Sequence, residues 1–265
     1  MVRASAVLVA AALALSACAS APEIPTAPTT PQAAPAPSGQ GARSSRDYRR
    51  VKSRVEPVAE AFCREEAPRA PPIYCDFAMV LDERAGLQAN AFQTRANTGQ
   101  PVVVVTGSLL GQMRSDDEIA FVLAHEAAHH IAEHLPRQQQ SQVIGALILG
   151  GMVAAAGEVG GAPVTQDTIR QAMDLGAFVG GRAYSQDYEL EADWLGAFVT
   201  ARAGYDPEAG AAVFGRPALS GGGGPVILST HPASPQRQAL VSRAAAEIRR
   251  QQAAGLTPRP GRSGT

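Results

Sequence analysis

The sequence has almost no net charge, few cysteines and no internal repeat, and each of these gaps excludes a class of protein. A formal net charge of −1 gives no basis for a nucleic-acid partner. The absence of repeats argues against an appended helical-repeat domain. The 3 cysteines include no CxxC pair, which argues against a thiolate metal site. What remains is 45% hydrophobic and 18% charged, which is typical of a globular protein with one or two domains.

Long apolar runs are also scarce, and the first of them lies near the N-terminus. Ala6–Leu15 follows Arg3 and precedes small residues, so residues 1–17 are predicted to be a secretory signal peptide. Leu15-Ser16-Ala17-Cys18 resembles the bacterial lipobox, which implies cleavage before Cys18 and lipid attachment to its sulfur. An ordinary signal peptide with an incidental cysteine is the alternative. No Asp follows Cys18, and resemblance to enterobacterial sorting then implies the outer membrane, facing the periplasm.

The residues after the lipobox divide into a tether, a folded domain and a tail. Residues 18–45 combine the lipidated cysteine with a segment rich in Pro, Ala, Thr and Ser, which is predicted to be a disordered tether. The folded domain is predicted at 46–254 and a disordered tail at 255–265. Within the domain, Cys63 and Cys75 form an even pair in an exported chain. This favours a disulfide, worth about 3 kcal/mol in the chain-entropy model.

The second apolar run, Val143–Ala156, is short for a membrane span. Two interpretations stay open: a buried core helix, or a helix that dips into a membrane surface. The Gly and Ala content of the run suits close helix contact, and the run lacks the basic amphipathic face of a surface binder. We therefore expect a core helix.

Three strands followed by a run of helices predict an α+β fold, mainly helical, with a small three-stranded sheet beside a helical body. The predicted strands are Ile73–Leu81, Leu87–Phe92 and Pro101–Thr106. The predicted helices are Asp47–Glu66, Asp116–His134, Gln166–Gly181, Ser185–Ala203 and Ser234–Gln252. Pro136 is expected to end or bend the helix before it. Ser220–Pro225, with four consecutive glycines, is expected to be a flexible loop.

The helix predicted from Asp116 carries the sequence His125-Glu126-Ala127-Ala128-His129. Its two histidines lie four residues apart and therefore share one face, where they can bind a single metal ion. In this H-E-x-x-H pattern the glutamate acts as the base on a water activated by the metal. A solvated or capped histidine pair is the alternative, and a catalytic site still needs a third protein ligand.

The third ligand is sought in the acidic sequence Glu189-Leu190-Glu191-Ala192-Asp193. Glu189 and Asp193 share a helix face at this spacing. Glu189 can complete a His, His, Glu zinc site, and Asp193 can accept the second ring N–H of a ligand histidine, which fixes its orientation. An exposed acidic helix face is the alternative.

Together these motifs resemble gluzincin metallopeptidases of the family that contains HtpX, the CAAX prenyl endopeptidases and the mitochondrial OMA-type protease. Four elements match in order across residues 46–250, and the likeness is greatest to the periplasmic lipoprotein members. The matching elements are Asn90-Ala91-Phe92 with the turn Thr106–Leu110, His125–His129 with His134, Glu189–Asp193, and Ser229-Thr230-His231-Pro232 with Arg237.

The resemblance implies one zinc ion per chain, held by His125, His129 and Glu189, with Glu126 as base and Asp193 as a catalytic or orienting acid. Gln186 stands where the family usually has Arg, and Arg182 is a candidate to replace that cation. His231 is implied to occupy the water position of a closed enzyme, with a backbone-bonded histidine as the alternative. We expect His134 to be structural and His130 to lie on the helix surface. Ligands of this kind also accept other divalent ions.

The implied activity is that of a metalloendopeptidase that cuts misfolded or damaged envelope proteins. Substrate would extend along the strand at Asn90, Ala91 and Phe92 and add a strand to the sheet edge. The implied partners are unfolded envelope proteins, the outer-membrane assembly machinery and, through the lipid anchor, the membrane. The alternative is a zinc-stabilised lipoprotein that acts as a chaperone or assembly factor with little proteolysis.

Overall fold

The structure, a computed structural model, describes residues 43–160, 162–182, 185–215, 231 and 234–261; the side chains of residues 181, 182 and 185 are not among the described parts. The predicted signal peptide, Cys18, nearly all of the tether and the glycine-rich loop lie outside the described residues. The predicted α+β class is confirmed: helices dominate, beside one three-stranded sheet.

The elements have the following bounds. The helices are α1 Ser45–Glu66, α2 Gly107–Leu110, α3 Asp116–Ile131, α4 His134–Ala156, α5 Gln166–Arg182, α6 Ser185–Arg202, α7 Pro207–Ala211 and α8 Pro235–Ala253, with short 3-10 helices at Pro72–Cys75 and Ala212–Gly215. The strands are β1 Ala78–Asp82, β2 Ala91–Arg95, β3 Pro101–Thr106, and a two-residue pair, β4 Glu158–Val159 and β5 Ala162–Pro163.

The sheet has the order β1-β3-β2, with β1 parallel and β2 antiparallel to β3. Two of the predicted strands are wrong in extent. The predicted strand Ile73–Leu81 begins only at Ala78, because Pro71 and Pro72 start a 3-10 helix that ends at Cys75, where a disulfide joins this segment to Cys63 on α1.

The predicted strand Leu87–Phe92 is displaced toward the C-terminus and begins at Ala91. The residues before it form a loop whose carbonyls accept side-chain hydrogen bonds. Ser108 Oγ donates to the carbonyl of Leu87, and Thr106 Oγ1 lies 3.0 Å from the carbonyl oxygen of Gln88. These bonds replace the pairing that an earlier strand would need.

The core lies where α1, the sheet, α6 and α7 surround α3, and α8 packs on the outer side of α6 and α7. Ser115 caps the N-terminus of α3, its hydroxyl accepting from the backbone N–H of Glu118 at 3.2 Å. From Glu118 to Ile131 every residue of α3 is buried. A buried central helix holds its side chains more rigidly than a surface helix does, because neighbours on all sides restrict their rotamers.

The helix break after α3 differs from the prediction at Pro136. The chain turns at Glu133, which has a left-handed φ of 56°, and α4 begins at His134. Pro136 therefore falls in the first turn of α4, where a backbone N–H has no partner within the helix and a proline is tolerated. The helix therefore breaks at Glu133, before it reaches Pro136.

The prediction of a core helix at Val143–Ala156 is wrong. This run belongs to α4, which pairs with α5 as a helical hairpin, and Val143, Leu147 and Met152 are all exposed. Among the described residues, α4 is the one helix long and apolar enough to cross a membrane, and 6% of its most apolar stretch is buried. Neighbouring glycines do provide close helix contact, as expected, but only to α5.

Part of the predicted disordered tail packs on the domain instead. The side-chain amide of Gln251 donates to the carbonyl of Arg259 at 2.9 Å and accepts from its backbone N–H at 2.7 Å. Pro258 is buried. A single glutamine on α8 thus satisfies both backbone groups of one residue and holds the segment that precedes residue 262.

Candidate metal centre

Four side chains from three parts of the chain meet at one point. His125 and His129 come from α3, Glu189 from α6, and His231 from the segment before α8. One ligand atom from each lies within 4.8 Å of all the others, and all four residues are buried. The Nε2 atoms of His125 and His129 are 3.0 Å apart, and each lies 3.4 Å from a carboxylate oxygen of Glu189.

The close crossing of α3 and α6 makes this meeting possible. Gly196 of α6 faces the backbone of His125, and a Cβ at Gly196 would lie 3.2 Å from the Cα of His125. Only a glycine fits there without a shift of the neighbouring helix, so the two helices approach until the carboxylate of Glu189 reaches both histidines. Phe121 and Phe214 pack beside the ring of His125 and exclude water from that side.

Asp193 orients His125 from behind. Its Oδ1 atom lies 3.0 Å from Nδ1 of His125, the ring nitrogen that faces away from the cluster. With Nε2 turned toward the cluster, Nδ1 carries the proton and donates it to the carboxylate. Arg237 of α8 holds Asp193 through two hydrogen bonds of 2.6 and 2.7 Å. Arg237 also lies 3.0 Å from Glu189, so one buried guanidinium fixes both carboxylates.

A second chain of hydrogen bonds orients His129. Its Nδ1 atom lies 2.8 Å from Nδ1 of His134, and Nε2 of His134 lies 3.1 Å from a carboxylate oxygen of Glu191. One set of tautomers satisfies every contact: His129 donates to His134, and His134 donates to Glu191. Arg137 binds the same Glu191 oxygen at 2.9 Å from the solvent side.

Charge in the centre is balanced by these contacts. Burial alone would lower the pKa of His125, but the carboxylates of Asp193 and Glu189 outweigh it and raise that pKa to about 9. For His129 burial dominates and lowers the pKa to about 3. Burial would raise the pKa of Glu189, but hydrogen bonds from the three histidines hold it far below its usual range. The carboxylates of Glu189 and Asp193 therefore stay ionised.

Glu126 and His231 approach each other at the cluster. The side chain of Glu126 is 1% exposed, and its Oε1 atom lies 3.3 Å from Nε2 of His231. Nδ1 of His231 lies 2.9 Å from Glu189 and 3.3 Å from Nε2 of His125. The residues on either side of His231 in its Thr-His-Pro sequence are outside the described part of the chain.

Comparison with known families decides the class of this centre. The model of peptidase family M48 matches residues 45–245, from the first residue of α1 into α8. The chain belongs to peptidase family M48. A search of curated proteins gave no match. The match to the family does not distinguish HtpX, CAAX prenyl and OMA-type enzymes, so the expected likeness to these enzymes stays a prediction.

The donor set of this M48 metallopeptidase fits a divalent metal ion. Two imidazoles and a carboxylate are ligands that zinc binds in catalytic sites, which keep a further position open. Both ligand histidines have a partner on the second ring nitrogen, which is how metal-binding histidines are commonly held. His125, His129 and Glu189 would hold the metal, and His231 stands where a further ligand can approach.

Sequence reasoning missed two contributors to the centre. His134, for which a structural role is predicted, is hydrogen-bonded directly to a ligand histidine; its spacing of five from His129, across a helix break, gives no face-sharing signal for that contact. The sequence motif assigns no role to Arg237, yet Arg237 supplies the buried cation of the centre. Gln186, where the family usually has Arg, instead bonds Gln236, and the side chain of Arg182 lies outside the described residues.

The expectation that His130 lies on the helix surface is wrong. It is 1% exposed, and its Nε2 donates to the carbonyl of Tyr74 at 2.8 Å, next to the disulfide-bonded Cys75. Burial lowers the pKa of His130 to about 4, so it is neutral at pH 7. The reason is that α3 is surrounded on every side, so no face of it remains for solvent.

The predicted substrate strand lies beside α3. Ala91 and Phe92 begin β2, Asn90 precedes it, and β2 packs against α3 on the core side. The ladder of β2 joins it to β3 alone among the described strands. Phe92 is 40% exposed, and Oδ1 of Asn90 is buried with no hydrogen-bond partner in the described part of the chain.

Proposed function

We propose that this protein is a zinc-dependent endopeptidase of the cell envelope. The observation that carries the proposal is the position of Glu126, a buried carboxylate next to a cluster of two histidines and a glutamate that fits a divalent metal. A structural metal site needs no carboxylate beside its ligands, whereas a hydrolase needs a base within reach of the attacking water. When bound, the metal supplies Lewis acidity that activates water at neutral pH.

Each residue of the chain then has a distinct task. Glu126 accepts the proton of the attacking water and returns it to the leaving amine. Asp193 and His134 hold the two ligand histidines in one tautomer and one orientation. Arg237 keeps Asp193 ionised and holds both Asp193 and Glu189 in position. The phenylalanines around His125 keep the centre dry, which strengthens the electrostatic interactions within it.

We infer that substrates bind in an extended conformation along β2. An extended chain that adds to a sheet edge is read mainly through its backbone, which suits substrates without a fixed sequence. The edge of β2 that faces away from β3 pairs with no other described strand, so its backbone groups are available to such a chain. Unfolded or damaged envelope proteins fit this description. The lipobox at Cys18 supports anchoring to the outer membrane, close to the assembly machinery for outer-membrane proteins.

The test compares the native protein with Glu126→Gln. Both should bind about one zinc per chain, and cleavage of unfolded casein should fall by about 10²–10⁴-fold in the variant, the usual contribution of a general base. Arg170→Gln, on the surface of α5, is the matched control and should cut normally. Equal cleavage by the native protein and Glu126→Gln would overturn the proposal. Zinc binding without cleavage by the native protein or by His231→Ala would favour the chaperone or assembly factor.

We also propose that His231 restrains the enzyme. It contacts Glu189 and approaches both His125 and Glu126, so it occupies the space that a water and a substrate carbonyl need. His231→Ala should therefore increase casein cleavage while the zinc content is unchanged. His231→Gln, which keeps a polar side chain of similar reach, should give a smaller increase. Unchanged or lower cleavage by His231→Ala with full zinc content would contradict this restraint.

A further inference from the structure

The α4–α5 hairpin is closed by glycines instead of large side chains. A Cβ on Gly176 would lie 2.2 Å from the carbonyl oxygen of Gly145, and a Cβ on Gly145 would lie 2.2 Å from that of Gly176. Gly180 makes the same approach to the carbonyl of Ser141. The two helices therefore touch backbone to backbone. Small residues at such a seam are typical of helix pairs in membranes, where no water drives large side chains together.

Seven large apolar side chains of the hairpin point outward, whereas Met173 packs on Gly150 in the seam. The seven are between 48% and 65% exposed, and they are Val143, Ile144, Leu147, Ile148 and Met152 on α4 with Leu175 and Val179 on α5. A hairpin in water would place these residues in the seam and leave small or polar residues outside. Here the small residues lie in the seam and the large apolar residues lie outside. An exposed apolar surface of this kind indicates contact with a partner outside the described chain.

The seam contacts fix the rotation of both helices, and with it the direction of each side chain. At about 100° per residue around antiparallel axes, five apolar residues project to one side of the hairpin. We call this the apolar side: Ile144, Ile148, Met152, Leu175 and Val179. Arg170 projects to the opposite side, and Asp174 projects toward its edge.

Charge along the hairpin matches a lipid layer better than a protein partner. Residues 138–157 contain no Asp, Glu, Lys or Arg, and charges return only at Arg137 and Glu158. Protein interfaces carry a polar rim around an apolar centre, whereas the polar residues of this stretch are confined to its N-terminal end, at 138–142. Asp174, at mid-length of the hairpin, makes a full span costly, since a charge at the bilayer centre costs about 2.5–3.5 kcal/mol on insertion scales. A position within one leaflet leaves Asp174 in water.

We propose that the α4–α5 hairpin lies in one leaflet of a lipid bilayer, with the apolar side toward the acyl chains and Arg170 toward water. The hairpin leaves the domain at His134, directly after the metal helix. Membrane contact at this point holds the centre near the bilayer surface independently of any anchor at Cys18. The proposal stands on the hairpin alone and does not depend on the activity of the metal centre.

The test places an environment-sensitive NBD fluorophore on single cysteines in the full chain, with Cys18→Ser so that the new thiol is the one that reacts. The protein is bound to phosphatidylcholine vesicles. Ile148→Cys should emit at shorter wavelength than in water and should be quenched by nitroxide lipids. Quenching should be stronger for a nitroxide at a shallow acyl position, since a helix in one leaflet lies about 5–10 Å deep. Both Ile148 and the control position are exposed, so neither substitution threatens the fold.

The matched control is Arg170→Cys on the other side of the same hairpin, whose probe should emit as in water and resist quenching. Three results would overturn the proposal. A water-like spectrum at position 148 would mean that the apolar side contacts no lipid. A blue-shifted spectrum without nitroxide quenching would mean that a second copy or another protein covers it. Equal quenching at 148 and 170, strongest for the deep nitroxide, would mean that the hairpin spans the bilayer.

Discussion

Two helix pairs in this protein make close contact through glycine, and the large side chains around the two contacts point in opposite directions. In the α3–α6 pair, Gly196 brings Glu189 within reach of His125, and large side chains fill the space around the crossing. In the α4–α5 pair, Gly145 and Gly176 touch, and the large side chains face outward. Glycine thus allows the backbones of two helices to approach closely in both settings. Whether it builds a reactive centre or an external surface depends on where the neighbouring apolar residues point.

The largest difference between the pairs should appear on removal of an apolar side chain. Phe121→Ala in α3 should lower the free energy of unfolding by about 3–5 kcal/mol, since the ring is fully buried and a cavity remains. Leu147→Ala in α4 should change it by less than about 0.5 kcal/mol, because this side chain is exposed. Urea denaturation of both variants without lipid measures the contrast. A large loss for Leu147→Ala would show that the hairpin surface is covered by protein.

The pairs meet at His134, the first residue of α4, and the next prediction concerns this junction. His134→Phe keeps the stacking on Tyr188 but leaves Nδ1–H of His129 buried without an acceptor. The affinity for zinc should fall by about 10–100-fold, as for other partners of ligand histidines. Competition with a chelator measures it.

Arg137→Gln is the control for the junction, since Arg137 reaches Glu191 from the solvent side. It should leave the zinc affinity within about twofold of the native value, because exposed ion pairs contribute little. Equal losses in both variants would show that Glu191, and not the hydrogen bond from His129, determines the effect.

The sequence is informative for one pair and misleading for the other. Spacing of four residues identifies faces of α3 and α6 that carry His125, His129, Glu189 and Asp193, since a regular helix fixes which residues share a face. The hairpin fails the same reasoning because composition alone cannot distinguish a core helix from an outward-facing one. His134 is missed for a third reason: the left-handed turn at Glu133 breaks the helix period between it and His129.

Alanine at a glycine of each pair should have effects of opposite sign. Gly196→Ala adds a Cβ 3.2 Å from the backbone of His125, so α6 must shift, at a cost of about 1–3 kcal/mol in unfolding free energy and with weaker zinc binding. Gly151→Ala in α4 meets no atom within 4 Å and should stabilise the helix by about 0.5–1 kcal/mol. Denaturation with and without zinc measures both. Normal zinc affinity in Gly196→Ala would show that ligand placement tolerates a wider crossing.

The smallest expected contrast concerns pH and two ion pairs. Arg202 of α6 binds Glu65 of α1 through both carboxylate oxygens and holds the pKa of Glu65 below its ordinary value of 4.5. Because the folded-state pKa is the lower one, the pair contributes stability above about pH 4.5 and loses it as the pH falls through the folded-state pKa. Glu65→Gln should therefore lower the free energy of unfolding by less than about 1 kcal/mol at pH 7 and leave it unchanged near pH 2, measured in urea with a chelator present.

Asp167→Asn, which removes the exposed partner of Arg170 on the hairpin, should match the native protein at both pH values. A pH-dependent cost for Asp167→Asn would mean that the ion pair of the hairpin is shielded from water, which is incompatible with a hairpin that exposes this side to solvent.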